Sequence, residues 1–297
     1  QDPLADLKLG EEFYPEFADS TAASSLAVVV YNDETSRRQQ FIVENENGVW
    51  RIPSHNNYPA DGAERLANTA ASLIGVKRDA FQSRSAADHA ALGVIDPQLE
   101  DSSKLKGRGD RLTLKDAQGE TLVDFIIGKQ VEGRDGYYYV RKADNDATYI
   151  SKLDVDLSTK FSDWVETDLL KLKRDELVKI TINDYEVAET TGSVSDNELS
   201  EIVREKTADP CKLLNIDEET EDTNVTRVNA MISAMDSLKL IGVRPKPDAL
   251  KEDLKLGQDA VPKTQQEFVM KQQAYGDMMS KGFFISNKGL LSNEGEL

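Results

Sequence analysis

The sequence predicts an α+β fold built as two related units of short antiparallel strands with packed helices. Three observations carry that prediction. Short apolar, β-branched runs recur between turns rich in Gly, Asn and Asp. Other segments repeat apolar side chains at three- and four-residue spacing, several of them behind capping patterns. The motif Leu73-Ile74-Gly75-Val76 returns as Leu240-Ile241-Gly242-Val243, each time closing a strongly periodic helix, which points to an internal duplication.

Residues 1–25 mix Pro, acidic and small side chains and read as an N-terminal arm. Runs at 26–31, 39–44 and 49–52 then make a meander of strands. Asp61 and Glu64 form a D-x-x-E cap for a helix over 62–74, where Leu66, Ala70, Leu73 and Ile74 share one stripe. Two hairpins follow, 111–115 with 121–127 and 137–142 with 148–151, around turns containing Gly119 and Asn145. Ser162 is expected to open a short helix carrying Trp164, Val165, Leu169 and Leu170. The first unit is thus expected over 26–174.

The pattern restarts over 175–297, the second unit. Residues 177–182 alternate as a strand with one wet face. Ser195 with Glu198 predicts a helix bearing Leu199, Ile202 and Val203, and a second helix runs from Val225 through Val228, Ile232 and Leu238. Thr264 with Glu267 caps a last helix, followed by strands at 283–286 and 290–292 about the turn 287–289.

The charge balance narrows the function classes. Against 36 Lys+Arg stand 54 Asp+Glu, a formal net charge of −18, which repels phosphate backbones and disfavours sequence-independent nucleic-acid binding. No apolar run approaches the roughly 18 residues a membrane span needs. A single cysteine, Cys211, allows no internal disulfide. The chain opens Gln1-Asp2-Pro3 without a leader pattern and reads as a processed product.

Chemistry-bearing motifs are sparse. His55 and His89 lack ligand-spaced neighbours, so His55 reads as a solvated loop histidine and His89 as a surface imidazole on a small-residue helix. Asp154-x-Asp156-x-Ser158 starts like a calcium loop, but Thr159 and Val165 stand where Gly and Glu are needed. The acidic run 217–222 reads as a solvated face. Gly128-Lys129 lacks the rest of a phosphate loop, and Arg108-Gly109-Asp110 is a tripeptide that chance supplies easily. No serine, cysteine or histidine constellation for nucleophilic catalysis can be read, and neither cofactor nor metal is expected. Trp50, Tyr58 and Tyr138 are candidates for lining a ligand groove, though core or cross-strand packing is the favoured explanation of such aromatics.

A family resemblance rests on Trp50-Arg51-Ile52-Pro53, Tyr58-Pro59-Ala60-Asp61 and Asp88-His89-Ala90-Ala91-Leu92-Gly93-Val94-Ile95-Asp96-Pro97. Asp124-Phe125-Ile126-Ile127-Gly128-Lys129 and Gly136-Tyr137-Tyr138-Tyr139-Val140-Arg141 complete it. Together these resemble domain-of-unknown-function family 4340 over about residues 40–180, and 238–247 with 282–297 are similar to its later parts. The resemblance implies an extracytoplasmic domain, tethered by an N-terminal hydrophobic segment that is expected to have been removed here, with some members encoded beside ABC-transporter components of gliding-motility type. It supplies no catalytic residues, and it implies further chain after 297. The expectation is therefore a non-enzymatic, membrane-anchored accessory module that binds a protein partner, with ABC-transporter subunits as the expected partner. The alternatives are a saccharide- or peptide-binding module using Trp50, Tyr58 and Tyr138, and a hydrolase built on Asp154 and Asp156.

Overall fold

The structure, a computed structural model, describes residues 7–100, 106–188, 190–191, 193–206, 209–217, 219–250, 261–286 and 289–295. The expected turn residues Asn287 and Lys288, and the chain ends at 1–6 and 296–297, lie outside the described residues. Strands and helices segregate as an α+β protein, in two compact units. The first comprises the described chain up to Thr167 together with Leu240–Val243, and the second comprises Asp168–Lys239 and the described chain from Arg244.

In the first unit, β1 (Ser25–Asn32), β2 (Arg37–Glu46) and β3 (Val49–Ile52) form the expected meander, prolonged by β4 (Tyr58–Pro59). Helix α1 (Ala63–Leu73) follows, then β5 (Ala80–Ser83) and a single helical turn, α2 (His89–Leu92). The two hairpins appear as β6 (Asp110–Lys115) with β7 (Thr121–Gln130) and β8 (Tyr137–Lys142) with β9 (Thr148–Lys152). All nine strands join one antiparallel sheet in the order β4-β3-β2-β1-β6-β7-β8-β9-β5. β1 joins its two halves, Val28 standing opposite Phe41 on one side and Leu112 on the other.

Strand alternation sorts side chains between two faces. Leu112 and Leu114 of β6, Val123 and Phe125 of β7, and Val140 of β8 join Leu66, Ala70 and Leu73 of α1 in the main core. Full burial of a large side chain there contributes about 1.5–3 kcal/mol. The segment before β1 belongs to this core, since Phe13 and Phe17 are buried and Phe13 meets Phe125 edge-on at 5.0 Å. The opposite face carries Arg111, Thr113, Asp124, Ile126 and Arg141, the alternate positions of the same strands, and Ile126 forms a smaller cluster there with Leu92 and Val94.

No helix opens at Ser162; the chain makes only a 3-10 turn, Phe161–Asp163. The reason lies in Trp164, which is fully buried and bonded by its indole to Ser158 O. Its own carbonyl accepts from Asp61 N, and Thr167 O accepts from Leu240 N, so two carbonyls a helix would use are taken by distant partners.

In the second unit, β10 (Lys179–Ala188) pairs with β11 (Ser193–Val203), which also holds the short β12 (Lys212–Leu213). The helix expected behind Ser195 is therefore a strand. It pairs along its length with β10, from Val203 opposite Lys179 to Ser193 opposite Ala188, with a register shift at Asp184/Tyr185 that leaves Asn197 without a partner in the ladder, and this pairing overrides a capping pattern of weak helical content. Helices α3 (Val225–Asp236) and α4 (Gln265–Met279) form as expected, and β13 (Phe283–Ser286) pairs with β14 (Gly289–Ser292). The cap of α4 uses both expected residues: Glu267 N donates to Thr264 Oγ1, and Glu267 Oε2 accepts from the backbone N–H of Lys263, one residue before the cap. The core around β11 and α3 is small, with Ile202, Cys211, Val228 and Ile232 buried. Both copies of the Leu-Ile-Gly-Val motif lie in the first unit, Val76 buried in the main core and Leu240 and Val243 packed against it.

Candidate functional site

The second face of the first sheet holds the densest polar chemistry. It is covered by the chain around α2, and glycines make that approach possible. A Cβ on Gly128 would stand 2.5 Å from Leu92 O, one on Gly109 would stand 2.7 Å from Gly93 O, and one on Gly107 would strike the backbone of Ala90. Gly128, in the Gly-Lys pair, thus serves close backbone packing, and Lys129 Nζ donates to Ala91 O at 2.9 Å.

Beneath this cover Arg111 donates to both oxygens of Asp124 and, through Nη1, to Asp96 Oδ2 and Gln98 Oε1, each at 2.8 Å. The bonds to Asp124, more than any other influence, raise the Arg111 pKa above its ordinary value, against desolvation. Arg141, 6% exposed, donates Nε–H to Val94 O at 2.8 Å and Nη1–H to the carbonyls of Lys142, Ala143 and Asn145. Burial lowers its pKa, while the carboxylates of Asp96 and Asp146 oppose that shift. His89 is also 6% exposed, with Nε2 2.8 Å from Asp146 O. It is a buried, bonded group and not the surface imidazole expected, because α2 is pressed onto the sheet.

His55 likewise departs from expectation. It is half-buried and stacks on Phe161 at 5.0 Å, and burial lowers its pKa. In the tripeptide 108–110, Arg108 lies over the Tyr31 ring and donates to Pro97 O, while burial raises the Asp110 pKa.

Trp50 and Tyr58 stand on the neighbouring strands β3 and β4 at one sheet edge, and Tyr58 meets Phe161 edge-on at 5.5 Å. Tyr138 lies on β8, five strand positions from β3, so the sheet brings two of the three candidate aromatics together and not the third. All three are partly buried against the main core. Asp154 and Asp156 share an open cavity of about 400 Å³ with Asp61, Glu64 and Arg65. Asp156 is ion-paired with Arg65, whose guanidinium also lies 5.4 Å from the Trp164 ring. Among the described residues no group of three or more His, Cys, Asp or Glu is placed to hold a metal ion.

The second unit presents apolar surface. Phe268, Val269 and Met270, consecutive in the first turns of α4, are each about half exposed, and Met278 is the buried residue of that helix. Val178, Ile182 and Leu199, in and beside the β10–β11 hairpin, are exposed too, and β10 is an edge strand of its sheet. Exposed apolar clusters and open strand edges are the features that other chains use for docking.

Sequence reading missed Arg111, Asp96, Asp124 and Arg141. The available signal was a charge at alternate positions of strands whose other positions are Leu, Val and Phe, combined with glycines in the segments that face them.

The model of the family described as Domain of unknown function (DUF4340) matches residues 50–258. No curated protein and no solved structure matches the chain.

Proposed function

This chain belongs to the DUF4340 family of domains of unknown function, and on that premise we propose that it is a non-enzymatic, extracytoplasmic module that docks a protein partner within a membrane-anchored complex of ABC-transporter type. The observation that carries the docking reading is the exposed run Phe268, Val269 and Met270 on α4. Three large apolar side chains half exposed at consecutive helix positions leave apolar area around this stretch of α4 that a partner can cover. The edge of β10 offers a second docking element by strand addition. A net charge of −18 favours a partner with a basic face. Among the described residues no helix is long and apolar enough to cross a membrane.

Affinity capture of the full-length protein from its native membranes, with mass spectrometry of the captured proteins, tests this reading. Enrichment of transporter subunits supports it, and recovery of the protein free of any partner contradicts it. A stable complex should bury about 1,200–2,000 Å² in total.

A second reading, a saccharide- or peptide-binding module, draws on the neighbouring, partly buried rings of Trp50 and Tyr58. A thermal-shift screen in which saccharides or peptides raise the midpoint, and Trp50→Ala removes the rise, is its expected signature.

A further inference from the structure

We propose that the open cavity beside α2 binds a free aliphatic α-amino acid, its carboxylate on the guanidinium of Arg141 and its ammonium group between Asp96 and His89. The cavity has a volume of about 340 Å³, at the small end of the range for ligand sites. Its polar lining is Arg141, His89 and Asp96, and its apolar wall includes Ala86, Ala87, Ala90 and Leu99.

Arg141 is a built donor. Its Nε and Nη1 are held by four backbone carbonyls, which fix the plane of the guanidinium. Nη2 has no hydrogen-bond partner among the described residues. It is not sealed away either, because Arg65 Nε is the buried side-chain nitrogen or oxygen left unpaired among those residues. A side chain 94% buried, with one donor-bearing nitrogen open where the residue lines a cavity, is arranged to meet an acceptor (exposure 6%).

The acceptors stand beside it. Asp146 O can only accept, so His89 Nε2 donates to it, and the tautomer that carries its proton on Nε2 has Nδ1 as an acceptor. Asp96 accepts from Arg111 and from Gln98 N, and a carboxylate has lone pairs for a further donor. The charges of Arg111, which is ion-paired with Asp96 and Asp124, and of Arg141, which is held by carbonyls, sum with those two carboxylates to zero, and Asp146 nearby is exposed to solvent. A ligand carrying both charges preserves that balance, whereas a lone anion faces Asp96 and a lone cation faces Arg141. The alanine wall suits a short aliphatic side chain.

Isothermal titration of the full chain with L-valine, 3-methylbutanoate and isobutylamine separates these contributions. L-Valine is expected to bind saturably, and each analogue, lacking one charged group, to bind at least about tenfold more weakly. Arg141→Gln should abolish binding. Because that buried residue also holds the fold, Ala90→Leu is the second variant. Ala90 is exposed at the cavity, so a larger side chain fills the space without entering the core, and the thermal midpoint should stay unchanged while binding is lost. Absence of saturable L-valine binding, equal binding of either analogue, or full binding by a folded Ala90→Leu variant overturns the proposal.

Discussion

Arg111 and Asp124 are diagonal neighbours on the β6–β7 ladder, Arg111 standing opposite Ile126 and Asp124 opposite Thr113, and two hydrogen bonds of 2.9 and 2.7 Å join them on the sheet face that α2 covers. Both side chains are less than a quarter exposed. Asp124→Asn keeps the shape and removes the charge, leaving Arg111 with Asp96 alone. Urea unfolding should show a loss of about 1.5–3 kcal/mol, and an unchanged midpoint would mean that water already screens the pair.

The glycines under α2 separate close packing from backbone freedom. Gly128→Ala places a methyl 2.5 Å from Leu92 O and should destabilise by about 1–3 kcal/mol through displacement of the covering segment. At Gly119, where φ is +84° and nothing lies within 4 Å, alanine carries only the conformational penalty of about 1 kcal/mol. The same pair of variants should differ in amide exchange around residues 89–94, which loosens in the first and not in the second.

Asp110 sets a pH dependence of one sign. Burial raises its folded pKa above 3.8, so the ionised form opposes folding at neutral pH and the protonated form does not. Asp110→Asn should therefore raise the thermal midpoint at about pH 7, with the gain shrinking as pH falls toward the unfolded carboxyl value. A gain that grows on acidification would contradict the assignment.

His55 sets the opposite sign. Its folded pKa lies below 6.5 because the ring is partly buried, so the unfolded chain takes up protons first as pH falls through the unfolded value. Its contribution is present above that value and is lost below it. His55→Phe keeps a ring to stack on Phe161, and its midpoint should fall less than that of the wild type between about pH 8 and pH 5.5.

The meander, α1, both hairpins and the cap of α4 were legible because each is written locally, in alternation, helical spacing or turn residues. Ser195 misled because S-x-x-E spacing also occurs by chance in strands, and only the partner β10, some fifteen residues upstream, decides which structure satisfies the backbone. Ser162 misled because Trp164 is claimed by Ser158 and Asp61 rather than by its own helical neighbours. The Arg111–Asp96–Asp124 cluster was not legible since no local pattern joins residues of three segments. His89 was misplaced for the same reason: a small-residue helix looks exposed until the glycines opposite it are seen to admit it to the sheet. Family motifs such as Ala91-Leu92-Gly93-Val94 and Ile126-Ile127-Gly128-Lys129 are, physically, the two sides of that contact.

The docking reading is tested most directly by site-specific photo-crosslinking in native membranes, with the reactive side chain at Val269 on α4 and, as control, at Gln118 in the exposed β6–β7 turn. A discrete crosslink from position 269 to a subunit of a membrane complex is expected, and none from position 118. Equal crosslinking from both positions, or none from 269 in protein shown to be folded and membrane-associated, would contradict it.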